Sequence, residues 1–152
     1  MTDDESGVVL NDEEIDELLG TGGIGVLGLA DESDPYAIPV SYGYDADDRV
    51  LYLRLGFADD SEKERYLARS DRAALVVTVE GMDGWASVVA RGQLSTMPEA
   101  SIDGTTVEAI RSIDIPFVTI YEEEPRELEY RLYRLTPDEL TGRKEKPRVG
   151  IE

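Results

Sequence analysis

The sequence predicts a mainly β domain with short helices. Three observations carry that class. Period-2 alternation recurs over Tyr36 to Tyr44, Val50 to Leu55, Trp85 to Thr96 and Glu127 to Leu135, which is the signature of half-buried strands. The run Ala73 to Val79 is almost continuously apolar, as expected of a strand covered on both faces. From Tyr36 to Gln93 the order reads as hairpin, capped helix and second hairpin.

In chain order, Met1 to Val9 is expected to be loose. Asn11 with Glu14 three residues on forms a capping box for a short helix whose Ile15, Leu18 and Leu19 make one apolar stripe, and Gly20 is placed to end it. The glycine-rich run Gly20 to Gly25 lacks a GxGxxG fingerprint in strand-turn-helix context. It reads as helix stop and strand start, with the first strand over Ile24 to Leu29. From Tyr36 to Tyr44 the large Tyr36, Ile38, Val40, Tyr42 and Tyr44 alternate with the small Ala37, Pro39, Ser41 and Gly43. The small face leaves room for something flat. After the turn Asp45 to Asp48, the next strand is expected over Val50 to Leu55, with Leu51, Leu53 and Leu55 on one face and Val50, Tyr52 and Arg54 on the other, so a cation sits at the strand end.

Ser61 and Glu64 form a second capping box, with Lys63 in the first turn. A helix start presents unpaired N–H groups and the positive end of the dipole, so Arg54 and Lys63 beside it suit a phosphate; a solvated surface patch is the plainer alternative. In Trp85 to Thr96 the odd positions Trp85, Ser87, Val89, Arg91, Gln93 and Ser95 mix polar groups, while Ala86, Val88, Ala90 and Leu94 are apolar. That mixture fits a barrel strand facing a cofactor for part of its length. Trp85 reads as a core or interface anchor or as a ring contact. Thr105 and Glu108 suggest a third cap, with Ile115-Pro116 ending its helix; Glu122-Glu123-Glu124 reads as a solvated loop. After the strand to Leu135, Thr136 to Leu140 is expected to form a short helical turn, and Arg143 to Glu152 a polar tail.

Composition narrows the chemistry. The 152 residues make one domain, 1–152 with loose ends at 1–9 and 143–152, and contain neither cysteine nor histidine. Disulfides, thiolate and histidine metal sites, a Ser-His-Asp arrangement and the usual axial ligand for haem are thereby excluded. No metal site is expected. Thirty-four acids against fifteen bases give a net charge of −19, which opposes binding to nucleic-acid phosphates. The apolar residues are patterned rather than sparse, so disorder does not explain the charge. An acidic surface adapted to high salt, as in a halophile, is the better account, because at 1 M ionic strength the Debye length is only about 3 Å; an ordinary acidic cytosolic protein is the plainer alternative. With no signal-like start and no apolar run near the roughly 18 residues of a membrane span, the expectation is a cytoplasmic protein with no membrane partner.

The ordered set Pro39-Val40-Ser41-Tyr42, Leu51-Tyr52-Leu53, Lys63, Arg72 to Val77 and Trp85-Ala86-Ser87-Val88 leading to Gly92 resembles the FMN-binding split barrels related to pyridoxamine 5'-phosphate oxidase. The resemblance covers roughly Asn11 to Thr96. It implies a six-stranded split β-barrel, FMN as cofactor and a homodimer with the cofactor at the interface. Carried over by position, Val40, Ser41 and Tyr42, after Pro39, would line the ring; Arg54 and Lys63, with Ser61 at the helix start, would meet the phosphate. Ser87 would reach ribityl or phosphate oxygens, with Leu53, Trp85 and Val88 beside the site. Arg131 and Arg134 would serve a neighbouring subunit's cofactor or pair across strands.

The function so implied is an FMN-binding oxidoreductase acting on a small molecule. A flavin carries its own redox chemistry and asks of the protein mainly orientation and electrostatics, which a chain without histidine or cysteine can supply. No catalytic acid or base is identified. The alternatives are a deazaflavin-dependent reductase, a flavin carrier or sensor without turnover, and a cofactor-free β-barrel interaction module meeting a basic partner.

Overall fold

Strand alternation and two short helices become a closed barrel. The computed structural model describes residues 7–57, 62–81, 84–97 and 129–146. In order these form β1 (Val8–Val9), α1 (Asp12–Leu19), β2 (Gly22–Asp31), β3 (Asp34–Asp45), β4 (Val50–Phe57), α2 (Glu62–Arg69), β5 (Arg72–Gly81), β6 (Gly84–Thr96) and β7 (Glu129–Lys144). The antiparallel order β7-β4-β3-β2-β5-β6 closes through a β6–β7 pairing, so six strands make the ring. β7 is shared. Its first half pairs with β4, from Phe57↔Glu129 to Leu51↔Leu135, and its far end takes β1 instead, Val9 opposite Arg143.

The interior follows from alternation. Leu27 and Leu29 of β2, Val40, Tyr42 and Tyr44 of β3, Leu51, Leu53 and Leu55 of β4, Leu75 and Val77 of β5, and Val88, Ala90 and Leu94 of β6 are all buried in one core with Tyr133 and Leu135. In β6 the even positions point in and the odd positions out, as the sequence implies. The apolar run of β5 is covered on one face only: Leu75 and Val77 are buried, whereas Val76 is exposed. Its outward valine lies on the barrel wall, and among the described residues no second layer covers it.

The helices close the ends. Asn11 caps α1, with Asn11 Oδ1 accepting from the Glu14 N–H at 2.8 Å and Glu14 Oε1 accepting from the Asn11 N–H at 3.0 Å. Ile15 and Leu19 enter the core. Gly142 makes that approach possible, since a Cβ there would lie 2.7 Å from Leu10 Cδ1 and 3.2 Å from Ile15 Cγ1. At the other end Tyr66 of α2 is buried, stacks on Tyr36 with ring centroids 4.7 Å apart, and donates to Asp34 Oδ2 at 2.8 Å.

Three expectations are corrected. Val8-Val9 and Arg143-Lys144, expected to be loose, pair with each other as strands. The segment after Leu135 is no helical turn but a continuation of β7, with an irregularity at which the register skips Asp138 and sets Pro137 opposite Gly92. Arg54 lies inside β4 rather than at its end. The Thr105 helix and the Glu122 to Glu124 loop lie outside the described residues, as does the Ser61 cap. No helix among the described residues is long and apolar enough to cross a membrane.

Candidate functional site

Directly opposed residues of antiparallel neighbours share a face, so the register maps the outer wall of the barrel. Arg54 stands opposite Ser41, and Ser41 opposite Ile24. One row along, Pro39, Val26, Val76 and Val89 are successive partners across β3, β2, β5 and β6. A further set, Thr78, Ser87 and Arg143, crosses β5, β6 and β7. The wall between the Arg54 and Arg143 ends is apolar and open. Ile24 is 55% exposed and Val26 45%.

At one end Ser41 is nearly fully buried while the Arg54 side chain beside it is half-buried. A hydroxyl and a guanidinium on adjacent strands, next to an exposed apolar surface, form a donor set for an oxyanion. At the other end a groove of about 510 Å³ lies over β5, β6 and the end of β7, with Val76, Thr78, Trp85, Ser87 and Arg143 in its lining.

The candidate residues divide by the direction of the pleat. Pro39, Ser41, Arg54, Trp85 and Ser87 share the outer wall. Val40, Tyr42, Leu53 and Val88 point into the barrel and are buried in the core, so a ligand on the wall meets only their backbone. The Tyr42 hydroxyl donates to the Leu19 carbonyl oxygen at 3.0 Å, and burial pushes its pKa up to about 12. Ser61 lies outside the described residues; Lys63 belongs to α2, and only its backbone is described. Arg131 pairs with Glu64 of α2 at 3.2 Å. Arg134 is exposed opposite Tyr52.

The other electrostatics lie away from the wall. Asn11's N–H and Lys144, whose Nζ is 2.9 Å from Glu14 Oε2, hold the Glu14 carboxyl below its ordinary pKa. Burial, reinforced by a hydrogen bond to Asp16 at 2.6 Å, raises the Tyr44 phenol. Arg49 spans Asp12 at 3.2 Å and Asp16 at 3.4 Å, fixing the β3–β4 turn to α1. These groups clasp the helix. Among the described residues no cluster of three or more acidic side chains is arranged to hold a metal.

Arg143, expected in a polar tail, lies on the outer wall of β7 opposite Ser87. The signal is alternation continuing past Pro137, with Leu140 and Gly142 inward and Thr141 and Arg143 outward.

The family model for pyridoxamine 5'-phosphate oxidase matches residues 11–144. The chain belongs to the pyridoxamine 5'-phosphate oxidase family. No curated protein matches the sequence. Among solved structures it is similar to the FAD binding protein from Mycobacterium smegmatis, at 18% identity and a TM-score of 0.63 over 94% of this chain and 100% of that one. It is similar also to a FAD-binding protein from Mesorhizobium loti, at 18% identity and TM-score 0.65, covering 90% and 95%. A heme binding protein from M. smegmatis matches at 19% identity and TM-score 0.63, covering 95% of this chain and 57% of that one. At these identities the likeness establishes the split-barrel fold of the pyridoxamine 5'-phosphate oxidase family and leaves the ligand to be argued from residues.

Proposed function

We propose that this family member is a flavin-binding oxidoreductase acting on a small molecule, with FMN on the outer wall. The observation that carries the reading is the direct pairing of Arg54 with Ser41 at the edge of an exposed apolar wall. The donor set suits a phosphate, and Pro39, Ile24 and Val26 offer a flat apolar surface for a ring. The residues fit the group. Arg54 and Ser41 hold the phosphate, Ser87 donates to ring or ribityl oxygens, and the valine row excludes water from one ring face. A bound flavin supplies the electron-carrying chemistry.

A second copy completes the site. One wall gives a ligand only shallow cover, whereas small-molecule sites bury most of the ligand surface, and the exposed Ile24, Val26, Val76 and Trp85 are suited to meet a partner across it. A haem reading has less support, since histidine and cysteine are absent from the sequence. Extraction of the bound cofactor followed by mass analysis tests the proposal and separates FMN from FAD and from a deazaflavin. FMN in stoichiometric amount is expected. A colourless protein that takes up neither FMN nor FAD on titration overturns it.

A further inference from the structure

A phosphate held at Arg54 is held in a chain of net charge −19, so the acids nearest that end decide how strongly the ligand is opposed. One of them is fixed by the fold. β4 ends at Phe57 and α2 begins at Glu62, and Glu64 of the first turn lies 3.2 Å from Arg131. Arg131 stands opposite Leu55, one residue from the Leu132 that stands opposite Arg54 in the β4–β7 ladder. The Glu64 carboxylate is therefore kept at the Arg54 end of the barrel with a guanidinium against it.

The pair is not what holds the helix. Tyr66 of α2 is 3% exposed, stacks on Tyr36 with centroids 4.7 Å apart and donates to Asp34 at 2.8 Å, while Arg69 in the last turn lies 3.6 Å from Asp31. These contacts already fix α2 to the hairpin of β2 and β3. The Arg131 and Glu64 side chains are by contrast 34% and 52% exposed, and ion pairs this open add little to stability. What the pair does set is local charge. Without Arg131, Glu64 stands as an uncompensated negative charge beside the phosphate end.

We propose that Arg131 is a positioning residue of that end: it does not touch the ligand, but holds and neutralises Glu64 so that the carboxylate does not oppose a phosphate at Arg54. The role rests on the flavin reading, because the FMN phosphate is the group that feels the carboxylate.

Wild type, Arg131→Gln, Glu64→Gln and the double variant are titrated with FMN and with riboflavin, which lacks the phosphate, at 0.1 M KCl. Arg131→Gln is expected to weaken FMN about three- to tenfold, the range of one partly screened charge, and to leave riboflavin unchanged. Glu64→Gln leaves FMN at least as tight as in the wild type, and the double variant recovers what Arg131→Gln loses. In 2 M KCl, where the Debye length is below about 3 Å, the loss in Arg131→Gln shrinks. A mere helix pin gives another pattern, with both single variants weaker and no recovery in the double. Direct contact of Arg131 with the phosphate gives a loss that Glu64→Gln does not restore. Either pattern overturns the inference, as does an Arg131→Gln variant that loses nothing. Arg54→Ala separates the two levels. If it weakens FMN selectively while Arg131→Gln does not, the role of Arg131 falls and the phosphate site stands; if neither does, the phosphate reading falls and the role of Arg131 with it.

Discussion

Tyr42 donates its hydroxyl hydrogen to the carbonyl oxygen of Leu19 across 3.0 Å, so the tyrosine of the small-residue strand holds α1 onto the barrel from within. Phenylalanine at this position leaves a buried carbonyl without its partner. Tyr42→Phe is therefore expected to cost about 1–3 kcal/mol in denaturant unfolding and to leave flavin affinity unchanged. The same contact sets a pH dependence. Burial raises the folded-state pKa to about 12, above the ordinary value near 10, so its stabilisation is full below about pH 10 and is lost as pH rises toward 12. The phenylalanine variant should show a shallower alkaline loss of stability than the wild type. An unchanged alkaline profile, or a loss of flavin affinity, would count against an interior role.

The sequence gives β3 a small-residue face with room for something flat, but local alternation alone does not fix which of its faces the barrel turns inward. Large and small residues alternate there, but alternation fixes only that two faces differ, and a one-residue choice of register exchanges them. The barrel decides it: Val40, Tyr42 and Tyr44 pack inward against α1 and the β4 leucines, leaving Pro39 and Ser41 outside. The α1 cap was legible because Asn11 and Glu14 are local partners, whereas the Lys144–Glu14 pair spans 130 residues in sequence. Pro137 misled for a physical reason. Proline in a strand is tolerated at a bulge, and a bulge is created by the partner strand, which local sequence does not contain.

Arg54→Ala should weaken FMN by about ten- to a hundredfold, the range of one or two charge-assisted hydrogen bonds. Riboflavin, which lacks the phosphate, should be affected far less. Fluorescence titration of both ligands checks the difference. Equal loss for the two would remove Arg54 from the phosphate site, whatever else it does on the wall.

Gly92 occupies the irregularity between β6 and β7, where an added Cβ would collide with the Thr136 carbonyl oxygen and come within 2.6 Å of Pro137 Cα. Both obstacles are backbone, so neither can swing aside. Gly92→Ala is expected to cost about 1–3 kcal/mol, the range for overpacking. Gly28→Ala is a control on the same barrel, because its Cβ would find its nearest neighbour, the Ala74 carbonyl oxygen, at 3.6 Å. If the two substitutions cost the same in thermal unfolding, the close β6–β7 approach is not what selects glycine at 92.

Salt acts on two opposing terms in this protein. Surface pairs such as Arg72–Asp138 at 2.7 Å and Arg91–Glu139 at 3.2 Å add little to stability and weaken as ions screen them. Repulsion among the acids weakens too. Fifteen bases can pair one to one with at most fifteen of the 34 acids, so the unpaired excess outnumbers the pairs and its relief wins. Between about 0.1 M and 2 M KCl the Debye length contracts from about 10 Å to below about 3 Å, which removes long-range repulsion and spares half-buried contacts such as that of Arg54. Thermal stability and apparent FMN affinity should both rise over that range. Chloride is the better test anion, because sulfate strengthens apolar burial independently. If stability rises while FMN affinity falls, the surface is relieved by salt but the phosphate site is steered by a basic field of its own. If both fall, the ion pairs outweigh the acidic excess, and adaptation to high salt is not the meaning of the charge.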